Sequence, residues 1–192
     1  MPRLTIIIGS TRPGRAGLPI AEWFADRARR HGGFDIDVVD LAELQLPMLD
    51  EPNHPRLRQY IHRHTKDWSA QVDASDAFVI VTPEYNHGYS AAVKNAIDYL
   101  HHEWKYKPVG FVSYGGVAAG TRAMQQLKQV VTAVRMLPVT DAVNIPFHTQ
   151  FLDDEGRVQA NETMEQAADA LLDELVRVQE ALRPLREPVA AA

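Results

Sequence analysis

The chain has 192 residues, 45% of them hydrophobic and 23% charged, which suffices for one well-buried domain and is short for two. Its formal net charge of -5 argues against a general polyanion binder, which needs a basic face to neutralise phosphates. With no cysteine there is no disulfide framework, no iron–sulfur cluster and no thiol nucleophile.

Met1-Pro2-Arg3-Leu4 runs directly into an apolar stretch too short for a signal peptide or a membrane span, so the expected location is the cytoplasm. A strand is predicted over Leu4 to Ile8, followed by the turn Gly9 to Gly17. A helix then begins near Leu18 or Pro19, because Pro tolerates the first helical turn, and stops at Gly32-Gly33; Ile20, Trp23 and Phe24 form its apolar stripe. A second strand covers Asp35 to Val39, a proline-bearing loop Leu41 to Pro55, and a second helix Arg56 to Val72. Strands over Ala77 to Thr82, Val109 to Ser113 and Thr140 to Val143 alternate with helices over Ala91 to His101 and Arg122 to Arg135. The last helix runs from Glu162 to Leu182, capped by Asn161, with Met164, Ala168, Leu171, Leu172, Leu175 and Val178 at helical spacing. Residues 1–183 read as a single domain, and Pro184 to Ala192 as a frayed tail.

Apolar β-branched runs alternating with helical segments predict an α/β fold in three layers, a parallel sheet with helices on both faces. Crossovers between parallel strands are right-handed, so five strands fall into the flavodoxin-like order 2-1-3-4-5. Ligands in such folds bind at loops beyond the carboxyl ends of the strands. Three of these loops carry chemistry. Gly9-Ser10-Thr11-Arg12-Pro13-Gly14-Arg15-Ala16-Gly17 brings backbone amides, hydroxyls and guanidinium groups to a helix amino terminus, a combination that favours a phosphate. It is one Lys-to-Arg change from a Walker A start, but Ala16 stands where magnesium needs a hydroxyl, and the dinucleotide fingerprint G-x-G-x-x-G is missing. A plain turn with exposed arginines is the alternative.

The second loop, Pro83-Glu84-Tyr85-Asn86-His87-Gly88-Tyr89, has one carboxylate, no carboxylate pair and several planar hydrogen-bonding groups, which suits holding a flat cofactor. The third, Ser113-Tyr114-Gly115-Gly116 and onward to Arg122, lets backbone approach a ligand closely. Phosphate at the first loop and a heterocycle across the other two is the geometry of a mononucleotide at a topological switch point.

Gly-Ser-Thr-Arg-Pro-Gly-Arg at 9–15, Pro83-Glu84-Tyr85-Asn86 followed by Ala92-Val93-Lys94-Asn95-Ala96-Ile97-Asp98, and Ser113-Tyr114-Gly115-Gly116 together resemble the NAD(P)H-dependent FMN reductases of flavodoxin-like fold. The resemblance implies that Ser10, Thr11, Arg12 and Arg15 hold the FMN phosphate and that Pro83, Glu84, Tyr85 and Asn86 meet the isoalloxazine edge, through main-chain groups at Glu84, Tyr85 and Asn86. It places Ser113, Tyr114, Gly115 and Gly116 at the third contact, with Tyr114 and the two glycines bordering the pyrimidine side. It further implies NADPH or NADH as donor, a flavin, quinone, azo dye or similar small molecule as acceptor, no side-chain nucleophile, and a homodimer or homotetramer. A flavodoxin-type electron carrier, or a nucleotide-binding hydrolase, is the competing function.

Other residues have plain readings beside functional ones. The Glu84 side chain reads as half of an ion pair with nearby Lys94. His87, Tyr89 and Trp104 are substrate-side candidates, although the tyrosines and Trp104 also suit a packed rim or a subunit contact. His62 with His64, and His101 with His102, are expected to point apart on helices and to form no metal chelate.

Overall fold

The computed structural model describes residues 1–186, and residues 187–192, most of the expected tail, lie outside it. Five parallel strands, β1 (Arg3–Ile8), β2 (Asp35–Asp40), β3 (Ala77–Pro83), β4 (Pro108–Gly115) and β5 (Leu137–Pro146), form one sheet in the order β2-β1-β3-β4-β5. The order is the expected one. β3 and β4 are buried nearly throughout, as strands covered on both faces must be.

Helices α1 (Gly17–His31) and α6 (Glu162–Leu182) cover one face, where Ile20, Phe24, Leu171 and Leu175 pack on Ile6, Ile8, Val79 and Val112. The other face packs Ile7, Phe78, Ile80 and Phe111 against α3 (Arg63–Asp73), α4 (Ala91–Asp98) and α5 (Thr121–Ala133). Gly32 ends α1 in the left-handed conformation at φ 77°, and the Asn161 side chain caps α6 through Met164 N at 2.9 Å.

The segment predicted as one helix over Arg56 to Val72 is divided. Pro55–Leu57 is a 3-10 turn ended by Arg58 at φ 51°, and α3 starts only at Arg63. The Glu51 carboxylate accepts from Ile61 N and His62 N at 2.9 and 3.0 Å, which stabilises an extended approach to α3. The loop Leu41 to Pro55 likewise contains a short helix, α2 (Leu41–Leu44), capped by the Asp40 side chain.

His62 therefore precedes α3, and its ring stacks on His64 at 5.1 Å with both near Asp50; the expectation that they diverge on a helix does not hold. Among the described residues no group of three potential ligands is arranged to hold a metal ion. No helix among the described residues is long and apolar enough to cross a membrane.

At the amino edge of the sheet, Trp104 is 1% exposed and packs on Phe78 and Trp68 at 5.0 and 5.9 Å. Beside it the buried Glu103 carboxylate receives Tyr60 Oη at 2.9 Å, Ser69 Oγ at 2.7 Å and Arg58 Nε at 3.2 Å. Lys107 Nζ donates to the last carbonyls of α3, Val72 and Asp73. Of the expected frayed tail, Pro184 and Leu185 continue a 3-10 turn, and Arg186 pairs with Asp76 at 3.1 Å.

Candidate functional site

The site lies at the opposite, carboxyl edge. Ser10, Arg12, Arg15 and Ala16 from the turn after β1, Pro83, Glu84 and Tyr85 after β3, Tyr114 and Gly115 at the end of β4, and His148 after β5 line one cleft. The cleft is small and half open, with a volume of about 80 Å³. Tyr85, Val117 and Phe147 stand exposed around this edge of the sheet, giving it an apolar rim.

The turn after β1 begins beneath a tight crossing: a side chain on Gly9 would meet Val93 Cγ2 at 2.5 Å and the Val81 carbonyl at 2.9 Å. Ser10 follows, fully buried, sharing a 2.6 Å hydrogen bond with Tyr85 Oη. Arg12 is exposed, and among the described residues no carboxylate lies within ion-pair distance of it. Arg15 instead turns to Asp40 at the end of β2, forming an ion pair with only 17% and 7% of the two side chains exposed. Thr11 faces a separate pocket between α2 and α4. Behind these residues α1 starts at Ala16-Gly17 with no side-chain cap and no acidic residue in its first turn, so its positive end is open to an anion.

The turn after β3 is a two-residue hairpin. Tyr85 N donates to Gly88 O at 2.8 Å and Gly88 N to Tyr85 O at 2.9 Å, while Asn86 and His87 both take the left-handed conformation, at φ 50° and 70°. This is the turn whose twist matches flanking strands. The Tyr85 main chain is thus already engaged, and Glu84 N donates to Tyr114 O at 3.3 Å; the tip amides of Asn86 and His87 have no backbone partner among the described residues. The Glu84 carboxylate pairs with Arg122 at the start of α5, accepting Nε at 2.6 Å and the backbone N at 3.2 Å. Lys94, its expected partner, bonds Asp98 at 2.6 Å instead. Burial pushes the Glu84 carboxyl up, but Arg122 more than offsets this and the net shift is downward. Gln126 Nε2 holds the His87 carbonyl at 3.0 Å, so α5 clamps the hairpin twice.

On the turn after β4, Ser113 is buried with its hydroxyl bonded to Ala119 O and Asn144 Oδ1, both at 2.8 Å, which shapes the loop from within. Gly120, at φ 79°, admits no side chain because a Cβ would lie 2.7 Å from Tyr114 N. Gly116 is exposed with open space around it. Tyr114 is 4% exposed, and its hydroxyl has no hydrogen-bond partner among the described residues. A Cβ built on Gly17 would lie 2.7 Å from that hydroxyl, which therefore sits at the first turn of α1.

Several expected residues are not brought to the cleft. Trp104 precedes β4 and lies in the core at the other edge of the sheet. Tyr89 packs in a groove between α4 and α5 with Ile97 and Val130. His87 is exposed on the hairpin tip. Conversely, His148 lines the cleft without any motif in the sequence to mark it. It packs edge-on against Tyr114 at 5.2 Å, with Nδ1 3.4 Å from Gly115 O. The signal available for it is its place just after β5, at the same carboxyl edge.

An uncapped helix end, an unpaired arginine and a buried hydroxyl without a partner converge at one end of the cleft, and an apolar rim surrounds it. This donor set fits the phosphate of FMN at α1, leaving the rim for the ring.

Comparison with known proteins gives the family and its cofactor. The family model described as NADPH-dependent FMN reductase matches residues 2–150. An NAD(P)H-dependent FMN reductase of Schizosaccharomyces pombe is 42% identical over 149 residues, covering 76% of this chain and 74% of the relative. An FMN-dependent NADPH-azoreductase of Staphylococcus saprophyticus is 27% identical over 175 residues, covering 89% of this chain and 92% of the relative. Among solved structures, the flavoenzyme NAD(P)H:(acceptor) oxidoreductase FerB from Paracoccus denitrificans aligns with a TM-score of 0.74 at 21% identity, over 94% of this chain and 98% of that one, a likeness of fold. On the matched model and the 42% identical relative, the chain belongs to the NADPH-dependent FMN reductase family.

Proposed function

We propose that the cleft binds FMN with its phosphate at the amino terminus of α1 and that the chain passes reducing equivalents from NADPH or NADH to a flavin, quinone, azo or similar small-molecule acceptor. The observation that carries this reading is the meeting of the uncapped α1, exposed Arg12 and the Tyr114 hydroxyl in one cleft. Bound FMN supplies the hydride chemistry, which explains why the loops carry no nucleophile or acid–base pair.

The residues then have binding and orienting roles. Arg12 neutralises the phosphate from the solvent side, and the first-turn amides of α1 donate to it. Arg15 acts one step removed, tying the phosphate turn to Asp40. The tip amides of Asn86 and His87 offer donors at the rim, and the Glu84–Arg122 pair with Gln126 fixes the hairpin against α5 so that those donors are in place beforehand. The exposed rim of Tyr85, Val117 and Phe147 gives a flat acceptor apolar surface without a deep pocket, which supports a broad acceptor range.

A single domain over residues 1–183, a cytoplasmic location and assembly as a homodimer or homotetramer belong to the same proposal. Light scattering on the purified protein decides the assembly. For the function, the protein is loaded with FMN and titrated anaerobically with NADPH and then NADH at the flavin band, followed by free flavin, benzoquinone and an azo dye. Bleaching by a nucleotide and recovery with an acceptor is the expected result. A protein that takes up no FMN and oxidises neither nucleotide overturns the reading.

A further inference from the structure

The Tyr114 side chain leaves the end of β4 and reaches across the width of β3 to α1. Its hydroxyl lies where a Gly17 side chain would be, and the same Cβ position is 3.5 Å from Ser10 Cβ. The His148 ring packs edge-on against it at 5.2 Å. Polar atoms this deeply buried are ordinarily hydrogen-bonded, and those that are not call for an explanation. Here the surroundings supply one: the same cleft holds Arg12 and the open end of α1, both of which favour an anion, while Arg15 is paired to Asp40, and no carboxylate faces the hydroxyl among the residues that line it except Glu84, which is paired to Arg122.

We propose that the Tyr114 hydroxyl is the donor that completes a phosphomonoester site at the first turn of α1, and that it thereby makes the chain select FMN over riboflavin. The inference rests on the FMN reading above and gives Tyr114 the opposite end of the cofactor from the pyrimidine contact that the family resemblance implies. A phosphomonoester presents three acceptor oxygens, and a hydrogen bond to a charged acceptor is among the stronger ones. Burial, helped by neighbouring Tyr85, pushes the Tyr114 phenol up; Ser10 and the two arginines pull the other way by less, so it keeps its proton and remains a donor. Gly17 is required for the same arrangement, since any side chain there would displace the hydroxyl.

Tyr114→Phe keeps the ring and removes the donor. Fluorescence titration of the apoprotein should show the FMN dissociation constant raised about tenfold, the loss expected for one hydrogen bond to a charged group, with the riboflavin constant unchanged. The apoprotein's thermal midpoint should stay level or rise, because the deleted hydroxyl has no partner to lose. Equal weakening of both flavins would mean that the tyrosine serves the ring, and unchanged FMN affinity or a midpoint lower by several degrees would equally overturn the proposal. A changed preference for NADPH over NADH with FMN affinity intact would assign the donor to the nucleotide's 2′-phosphate and overturn it too. Wild-type protein and Arg12→Ala separate the two levels: if wild type binds FMN and Arg12→Ala loses affinity while Tyr114→Phe does not, the FMN reading stands and the role of Tyr114 falls. If wild type binds no FMN, both fall.

Discussion

The two edges of the sheet differ in how their charged groups are paired, although each also holds a buried polar atom without a partner among the described residues, His101 Nδ1 at one and Tyr114 Oη at the other. At the amino edge, Glu103 is fully buried yet accepts from Tyr60 and Ser69 and pairs with Arg58, while Lys107 and Arg186 each find acceptors within the chain. At the carboxyl edge, Arg12 faces no carboxylate, the first turn of α1 has no side-chain cap, and the Tyr114 hydroxyl has no partner among the described residues. Both edges lie at strand ends of one sheet, so the difference is not one of fold. Saturated groups hold the molecule together; unsaturated ones raise its free energy until a ligand completes them.

That contrast breaks most readily at Glu103. Replacing it with Ala takes the acceptor from Tyr60 and Ser69, while half-exposed Arg58 keeps Asp73, and should cost about 2–4 kcal/mol in urea unfolding, with the FMN affinity of the folded fraction unchanged. A Glu103 variant that stayed stable but lost FMN would erase the distinction between the edges. Next in size, Arg12→Ala should weaken FMN binding by about 1.5–3 kcal/mol and leave unfolding within about 0.5 kcal/mol of wild type. Arg15→Ala should do the reverse in proportion, because it strands Asp40, whose side chain is 7% exposed.

The amino edge also predicts a pH dependence. Burial pushes Lys107 down to about 8 from an ordinary 10.5, so the folded protein releases this proton before the unfolded chain does. Its cost is fully present below pH 8, and stability should rise by about 1 kcal/mol from pH 8 to 9. A flat unfolding free energy over that interval, or the same slope in Lys107→Met, would remove the assignment. The smallest effect belongs to the carboxyl edge: Arg122→Ala removes one of the two clamps between the hairpin and α5 and leaves Gln126 on the His87 carbonyl, and because Arg122 is 46% exposed it should lower FMN affinity by under about 1 kcal/mol in a flavin titration.

Strands and loop positions are legible in the sequence because the apolar runs at Leu4, Ala77 and Val109 are buried on both faces and bounded by turn residues. Three things are not, each for want of long-range information. The break before Arg63 depends on Glu51, which lies in a different loop, so the helical pattern from Arg56 gives no warning of it. Arg15 and Arg12 look alike along the chain; Asp40, on the neighbouring strand, separates their roles. Tyr114 is readable as a residue of the third loop, but the direction of its side chain follows from its burial on the α1 and α6 face of the sheet. A subunit contact beside the site, implied by the family resemblance, draws Trp104 to the ligand side, although a residue just ahead of β4 belongs to the amino edge.

The close approach of Tyr114 to Gly17 makes the two positions a genetic pair. A methyl group on residue 17 would meet the hydroxyl at 2.7 Å but the ring carbon that bears it at 3.5 Å, an ordinary contact. Gly17→Ala alone should therefore be damaging, and Tyr114→Phe should act as its second-site suppressor, restoring folding though not the preference for the phosphorylated flavin. In a library that randomises both codons, selection for expression would admit the double substitution beside the native pair. A second selection for FMN retention would keep only Gly17 with Tyr114.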